Sequence, residues 1–508
     1  MQVCAKNGTN LHKSVQTPCR KQMERKNNTI DTIMKKLLAL LVLAFAAYAC
    51  QVPQITDETI ADAIAKGNFT QAEQMIKLKI ATEELTPAQV WDLDAKIQTM
   101  HRIRKDFSKD DTTVLAYIKN VIPDVTPEQI AHWESTGALE CMMIDGVKKY
   151  FRNAPRNLFR IDKEAQAHWD VNGRQSDELD IFLADYIPSV VATGAKGKIE
   201  NFGKPKKFKI NYSITVKPNE VPAGEMIRVW LPYPREFNRS KNVKLLSTTN
   251  KDYIISPDEY EHKSIYMEAE AIKDSAITFG YELELEVADH WFTFGPEDVK
   301  PYDTESELYK EYTAERETHV IFTPEIKRLA DSLTAGETNP YNKARKIFDY
   351  ICKTYPWASA REYSTLENIP SYVLANNHGD CGQVGLTFIT MARYVGIPAK
   401  WQSGWMLHPG DINLHDWAEA YFEGIGWVPV DQSFGRVPND NDAVSHFYLG
   451  GIDAYRYYVN SDYSGNFFPA KNHLRSETVD FQRGEVEWRG ENLYFGRWSY
   501  NMDVEYLN

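Results

Sequence analysis

The spacing of apolar residues changes twice along the chain and divides it into three parts. From residue 56 to about 190 the apolar positions recur every three or four residues, the spacing of amphipathic helices. From 196 to about 290 apolar and polar residues alternate, which predicts antiparallel strands with one buried and one polar face. From about residue 320 the helical spacing returns. We therefore expect an α+β protein with a β-sandwich-like domain between two helix-containing parts.

Several helix starts are marked by a capping residue followed by proline. Thr86-Pro87 and Thr126-Pro127 each have Gln at the third helical position, which completes a capping box. Thr323-Pro324 and Asn339-Pro340 mark two further starts in the third part. Such capping is common, so the two N-terminal copies are interpreted as local chemistry and not as a repeat architecture. The N-terminal part is predicted to be a helical accessory domain.

Residues 34 to 50 have the pattern of a bacterial lipoprotein signal peptide. Met34 and two lysines precede a short apolar run that ends in small residues and Cys50. The run is too short for a permanent membrane-spanning helix. We expect Cys50 to carry a lipid that anchors an exported protein to the bacterial envelope, with the outer membrane as the expected site and its periplasmic or cell-surface face left open. The alternative is a buried apolar helix of a cytosolic protein.

Composition and charge argue against two classes of protein. The 508 residues include 58 Lys plus Arg against 71 Asp plus Glu, a formal net charge of −13, which argues against a nucleic-acid binder. Six cysteines are too few for a disulfide scaffold in a chain of this length. Two of the six cysteines lie in the leader and one is Cys50, so the exported part keeps Cys141, Cys352 and Cys381. Even if two of these three pair, one thiol stays unpaired. A free thiol outside the cytosol needs a reason.

Cys381 lies where a reactive thiol is expected. It follows Gly379-Asp380 and starts a run of apolar residues at helical spacing, whereas Cys352 and Cys141 lie in apolar contexts and are interpreted as buried fillers. A helix N-terminus favours the thiolate through the helix dipole and the unpaired amides. The flanking glycines let a substrate carbonyl approach, and the Cys381 amide can face a developing oxyanion.

A base and its orienting carboxylate follow Cys381 in the chain. His415 begins an alternating strand, Glu423-Gly424-Ile425-Gly426 predicts a turn, and a second strand ends at Asp431. This hairpin can place Asp431 beside His415, where a carboxylate fixes the imidazole tautomer and stabilises its charged form.

Four sequence blocks in this region resemble the transglutaminase-like superfamily. They are Gly379-Asp380-Cys381-Gly382, Arg393-Tyr394-Val395-Gly396-Ile397-Pro398-Ala399, His415-Asp416-Trp417-Ala418-Glu419-Ala420-Tyr421 and Gly426-Trp427-Val428-Pro429-Val430-Asp431. The resemblance covers about residues 320 to 435. The preceding β domain, with Val229-Trp230-Leu231-Pro232, resembles the sandwich that often precedes this core in bacterial members.

The resemblance implies a papain-like α+β core in which Cys381 is the nucleophile, His415 the general acid/base and Asp431 its orienting partner. It implies no metal and no cofactor. The residue that supplies the oxyanion side chain or contacts the substrate is left open. The candidates are Tyr355, Trp357, Tyr363, His378, Gln383 and Trp417.

The expected domain order follows from these assignments. The segments are a leader (1–33) interpreted as an over-extended gene start, the signal peptide (34–50), a helical accessory domain (51–195), a β-sandwich-like domain (196–300), a catalytic domain (301–450) and an aromatic-rich C-terminal extension (451–508).

The expected function is a cysteine peptidase or amidase that hydrolyses peptide, protein or glycopeptide substrates through a thioester. Protein-glutamine transamidation is the first alternative, because both reactions share the same first half. A non-catalytic peptide- or glycan-binding protein on the same fold is the second. A metal site formed by His408, Asp411 and His415 is disfavoured, because a Pro-Gly loop does not fix the geometry of a histidine pair.

Overall fold

A computed structural model describes residues 55–171 and 178–507. The leader, the signal peptide and the lipidation site at Cys50 lie outside the described residues. The chain divides after Ala63 into two compact units, and every feature discussed below except helix α1 belongs to the second, Ile64–Asn508. Within the described ranges, no helix combines the length and the hydropathy needed to cross a membrane.

The N-terminal part is mainly helical, as the spacing predicts. Both predicted capping boxes form, with Thr86 and Thr126 each accepting a hydrogen bond from the backbone N–H of the Gln three residues on. Its helices are α1 (Asp57–Ala65), α2 (Phe69–Thr82), α3 (Pro87–Asp106), α4 (Asp111–Lys119), α5 (Pro127–Ser135), α6 (Ala154–Ile161), α7 (Lys163–Val171) and α8 (Glu178–Ala192).

One segment of this part departs from the helical prediction. Strands β1 (Cys141–Ile144) and β2 (Val147–Tyr150) form an antiparallel hairpin. Its turn places Asp145 and Gly146 at positive φ, 49° and 79°, which suits an Asp-Gly two-residue turn. The turn chemistry therefore outweighs the helical spacing around it. Cys141 begins the first strand and is half-buried, less enclosed than predicted.

Two antiparallel sheets form the β-sandwich-like part. In the first sheet the order is β18-β4-β9-β6, and in the second it is β17-β16-β5-β8-β7. The alternating residues from Phe208 to Val216 are buried in the core that the two sheets share. The strands are β4 (Lys206–Val216), β5 (Met226–Pro232), β6 (Ser240–Thr248), β7 (Ile254–Ile255), β8 (Ser264–Glu270), β9 (Ile277–Val287), β16 (Glu485–Trp488), β17 (Glu491–Asn492) and β18 (Trp498–Leu507).

The C-terminal segment takes part in both sheets of the sandwich. Strand β18 pairs with β4 from Trp498↔Val216 to Leu507↔Lys207, and β16 pairs with β5. A further small sheet has the order β14-β10-β3, built from β3 (Glu200–Phe202), β10 (His290–Phe292) and β14 (Gly451–Ile452). The sandwich is therefore assembled from residues on both sides of the third part in sequence.

The third part packs helices against a four-stranded antiparallel sheet of order β13-β12-β11-β15. Its strands are β11 (Ala399–His408), β12 (Asp411–Phe422), β13 (Gly426–Val430) and β15 (Arg456–Asn460). Its helices are α9 (Glu307–Tyr312), α10 (Pro324–Thr334), α11 (Pro340–Thr354), α12 (Ile369–Asn376), α13 (Cys381–Tyr394) and α14 (Asp442–Ser445). A 3₁₀ turn spans Pro296–Asp298 and another spans Tyr363–Thr365.

Helix α13 is the central element of this part. All of its residues except Tyr394 are buried, and its apolar side chains join those of α10, α11 and the sheet in one hydrophobic core. The whole architecture is α+β, as predicted, and its third part packs helices on an antiparallel sheet.

Candidate active site

Cys381 is the first residue of helix α13. Asp380 is the N-cap, its side chain accepts from the Gln383 backbone N–H at 3.1 Å, and the Gln383 Oε1 accepts from the Asp380 N–H at 3.2 Å. This reciprocal cap fixes where the helix begins. The predicted position of the thiol at a helix N-terminus is confirmed. Gln383, a substrate-contact candidate, is fully buried and uses its carbonyl oxygen in the cap.

His415 and Asp431 form the predicted pair across the strand hairpin. The His415 Nε2 lies 2.7 Å from the Asp431 Oδ2, and both side chains are buried. Arg456, wholly buried on β15, donates to the same oxygen at 3.2 Å, and the Phe434 backbone N–H donates to the other at 3.1 Å. Burial opposes ionisation of Asp431, but His415 and Arg456 hold its pKa below the usual value.

The imidazole itself is held toward its neutral form. Burial lowers the pKa of His415, and the attraction of Asp431 offsets only part of that effect. Because Nε2 is engaged by Asp431, Nδ1 is the ring nitrogen left for proton exchange with a reacting group.

The thiol makes a contact that the sequence did not predict. The Cys381 Sγ donates to the Asp416 Oδ2 at 3.3 Å. Burial and the nearby carboxyls of Asp416 and Asp380 raise the pKa of the thiol well above its usual range. These effects favour the protonated thiol and oppose the thiolate that a helix N-terminus favours. The only hint in the sequence is that Asp416 directly follows His415.

A cavity of about 790 Å³ joins the candidate groups. Cys381, His415 and Asp416 all line it, and so does Trp357, which is 44% exposed. Its wall also carries acidic side chains, and burial raises the pKa of Asp380 to about 7 and of Glu477 to about 8. The cavity is large enough for a short peptide segment.

The N-terminal helical part supplies one wall of this cavity. Arg160 of α6 stacks its guanidinium 4.5 Å from the centre of the Trp357 ring. Arg152 donates to Glu362 at 2.8 Å, and Asn157 and Ser359 exchange two hydrogen bonds of 2.9 and 3.0 Å. Sequence analysis found no catalytic signature in this part, because these contacts join residues about two hundred positions apart in sequence.

The remaining candidates occupy different places. Tyr363 lines the cavity and donates to Asp380 at 2.7 Å. Tyr355 lines a neighbouring cavity of about 590 Å³. His378 is buried, with its Nδ1 2.9 Å from the Asn376 carbonyl oxygen. Trp417 is fully buried, stacks on His415 and donates to Gln402 at 2.7 Å.

Neither of the other described cysteines lines the cavity that contains Cys381. Cys141, Cys352 and Cys381 are all free thiols. Cys352 donates to the Gln432 carbonyl oxygen at 3.6 Å, and burial raises its pKa to about 12. Cys352 is half-buried and lines the neighbouring cavity, so it is not the fully enclosed filler we expected.

The histidines of the metal alternative each have a carboxylate partner of their own. The His408 Nε2 lies 3.1 Å from Asp453, while His415 is paired with Asp431. In the part of the chain that the structure describes, no group of three or more His, Cys, Asp or Glu side chains is placed to hold a metal ion.

A family model matches the part of the chain that contains the candidate site. Residues 327–432 match the model described as the transglutaminase-like superfamily. This stretch, which includes Cys381, His415 and Asp431, is therefore similar to the core of that superfamily.

Two sequence relatives are themselves uncharacterized proteins. One from Haemophilus influenzae is 23% identical over 250 residues, which is 42% of this chain and 66% of that protein. YebA of Bacillus subtilis is 23% identical over 128 residues, 22% of this chain and 17% of YebA. The chain thus spans less than two thirds of the length of these relatives.

Two solved structures are similar over about half of the chain or more. A suggested cysteine protease from Cytophaga hutchinsonii has 13% identity and a TM-score of 0.40, covering 61% of this chain and 93% of its own. The periplasmic domain of TgpA from Pseudomonas aeruginosa has 12% identity and a TM-score of 0.25, covering 52% of this chain and 95% of its own.

Proposed function

We propose that this protein is a thiol hydrolase that cleaves peptide or carboxamide bonds through Cys381, His415 and Asp431. One observation carries the proposal. Cys381, at the start of a buried helix, and His415, which lies 2.7 Å from Asp431, line a single peptide-sized cavity. Nucleophilic catalysis by a thiol needs these three groups in one place.

In the first half of the reaction the Cys381 proton passes to the His415 Nδ1 and the sulfur attacks the substrate carbonyl carbon. The oxyanion that forms is stabilised by the backbone N–H of Cys381 at the helix start, with Trp357 as the candidate side-chain donor. The imidazolium, stabilised by Asp431, returns its proton to the leaving amine or ammonia. The carbon–nitrogen bond breaks and a thioester on Cys381 remains.

In the second half water replaces the amine. His415 accepts a proton from the water as its oxygen attacks the thioester carbon, and then returns it to the departing sulfur. The products are a carboxylic acid and the free thiol. The same intermediate yields a new amide when an amine reaches it before water does.

The substrate is proposed to be a peptide, protein or glycopeptide met outside the cytosol. The lipoprotein-type pattern that ends at Cys50 supports export and lipid anchoring to the envelope. Growth with an alkyne-tagged fatty acid tests this directly. The tag should appear on the wild-type protein and be lost from Cys50→Ala, and equal tagging of both would contradict the anchor.

A single product analysis separates the two reactions of the thioester. The enzyme is incubated with a glutamine-containing peptide and an excess of an isotopically labelled primary amine. The masses of the products are then measured by mass spectrometry. Hydrolysis gives the acid or shorter peptides, and transamidation gives an adduct that contains the label. The proposed hydrolase should form acid or cleaved peptide in the wild type and neither in Cys381→Ala, and adduct alone would overturn it.

A further inference from the structure

The thiol of Cys381 has an acidic neighbour that the proposed reaction does not use. The Cys381 Sγ donates to the Asp416 Oδ2 at 3.3 Å, and both side chains are buried. The other oxygen of this carboxyl accepts from the Gln482 Nε2 at 2.7 Å. One oxygen of Asp416 is therefore held at the reacting sulfur while the other is anchored.

The alternation of side chains along strand β12 explains why Asp416 lies beside the Cys381 thiol. Successive residues of a strand point to opposite faces, so His415 and Asp416 leave β12 on different sides. Ala418 and Ala420, on the Asp416 side, belong to the core that contains the apolar residues of α13. Trp417, on the His415 side, packs in a separate cluster. Asp416 thus lies on the face that packs against the Cys381 helix.

Gly382 leaves the space that this approach requires. A Cβ built on Gly382 would lie 2.8 Å from the Asp416 Oδ2 and 2.2 Å from the Tyr363 hydroxyl. Both distances are too short for a real side chain, so only glycine permits the arrangement next to the thiol. Tyr363 in turn donates to Asp380 at 2.7 Å and lies 3.4 Å from Asp416.

The surroundings of the Cys381–Asp416 pair are acidic on several sides. The titratable and charged groups around it are Asp380 from the helix cap, Tyr363 from the 3₁₀ turn and Glu477 and Asp480 from the C-terminal segment, with Glu362 and Arg483 beyond them, and His415 lines the same cavity. Arg483 is engaged by Glu362 at 2.5 Å. Burial, Asp480 and Asp380 raise the pKa of Asp416 well above its usual value.

We propose that Asp416 is a second proton partner of the Cys381 thiol, so that in the resting site the sulfur and this carboxyl hold one proton between them. The role rests on Cys381 being the nucleophile of the proposed function. The pair keeps the thiol unreactive until that proton moves to the His415 Nδ1 in the first half of the reaction. Asp416 then remains as the carboxylate, and no further reactant is needed. Asp416 thereby sets the pH at which the sulfur becomes nucleophilic.

The test is the pH dependence of alkylation of Cys381 by iodoacetamide, followed site by site with mass spectrometry on the full chain. Asp416→Asn keeps the shape and an acceptor oxygen but removes the acidic group. A like charge this close shifts a pKa by about one unit or more, so the variant should alkylate about tenfold faster at pH 7. Its rate profile should also move to lower pH by about one unit.

Asp411→Asn is the matched control. Asp411 lies on the same strand and lines the same cavity, five positions from Asp416 in sequence. Its removal should leave the alkylation profile of Cys381 in place. An unchanged profile in Asp416→Asn, or an equal shift in Asp411→Asn, overturns the proposal. If only Asp416→Asn shifts the alkylation profile but the wild-type protein cleaves no peptide, the result supports the proton sharing and contradicts the proposed hydrolase.

A measurement on the wild-type protein covers the case in which Asp416→Asn does not fold. The infrared spectrum at pH 7 should contain an S–H stretching band that is lost in Cys381→Ala and lies at lower frequency than the bands lost in Cys141→Ala and Cys352→Ala. A thiol that donates to a carboxylate absorbs in this way because the hydrogen bond weakens the S–H bond. Absence of a Cys381 band at pH 7 would mean a free thiolate and would overturn the proposal.

Discussion

The His415 Nε2 lies 2.7 Å from the Asp431 Oδ2, with His415 on strand β12 and Asp431 directly after the end of the neighbouring strand β13. Strands β12 and β13 pair in register from Ala418↔Val430, so the sheet itself fixes where the imidazole meets the carboxylate. Arg456 on strand β15 forms ion pairs with Asp431 at 3.2 Å and with Asp453 at 2.9 Å. The base of the proposed reaction is therefore oriented by a carboxylate that itself takes part in buried ion pairs.

Cys381→Ala should abolish turnover and leave the protein folded. The side chain is 9% exposed and its loss removes only one sulfur from the end of a helix whose cap is Asp380. Peptide or amide hydrolysis should fall by about 10⁴-fold or more because the nucleophile is absent. Turnover is compared with the melting temperature by circular dichroism. Cys352→Ala is the matched control and should keep its activity, whereas full activity in Cys381→Ala would refute the assignment.

Asp431→Asn should reduce the rate constant of hydrolysis by about 10³- to 10⁴-fold, because an amide does not stabilise the imidazolium and can favour the wrong tautomer of His415. The measurement is kcat and KM for one peptide substrate, with the loss expected in kcat. Asp440→Asn, an exposed position in the following loop, serves as the control. Comparable rates in Asp431→Asn and the wild type would remove Asp431 from the mechanism.

Gly382→Ala should destabilise the protein by about 1 to 3 kcal/mol through overpacking. Its Cβ would meet the Tyr363 hydroxyl at 2.2 Å and Asp416 at 2.8 Å, so the groups beside the thiol must shift. Gly385→Ala, in the same helix, would meet only Trp401 at 3.6 Å, an ordinary contact. It should be neutral or slightly stabilising, because alanine favours helices. Urea unfolding of both variants checks the contrast, and equal effects would contradict it.

Glu477→Gln should make stability less dependent on pH between about pH 5 and pH 8. Burial, with Asp480 and Glu362, raises the pKa of Glu477 to about 8 in the folded protein. A folded-state pKa above the unfolded value means that the stabilisation is complete below pH 4 and is lost as the pH rises through about 8. The wild type should therefore lose on the order of 1 to 3 kcal/mol of unfolding free energy between pH 5 and pH 9 that the variant keeps.

Urea unfolding at pH 5 and pH 9 provides the comparison for Glu477. Glu259→Gln removes an exposed carboxylate of the β-sandwich part and should behave as the wild type at both pH values. The same pH dependence in Glu477→Gln and the wild type would show that the buried carboxyl does not titrate with folding.

The sequence by itself determined the elements and the main groups of the site. Alternation from Phe208 to Val216 predicted a strand that is buried on one face, and the Gly-Asp-Cys-Gly block predicted a helix that starts at Cys381. A strand with His415 and a following strand that ends at Asp431 predicted their pairing. These inferences hold because period, capping and hairpin turns act over a few residues, so neighbouring positions in the chain contain the information.

Only the tertiary structure decided which distant groups surround the thiol. Arg160 reaches Trp357, the C-terminal strands enter the sandwich, and Asp416 contacts Cys381. Each outcome depends on how separate elements pack, and packing is set by the whole core instead of by the pattern of any one segment. The sequence therefore located the proposed nucleophile, and the fold decided which side chains surround it.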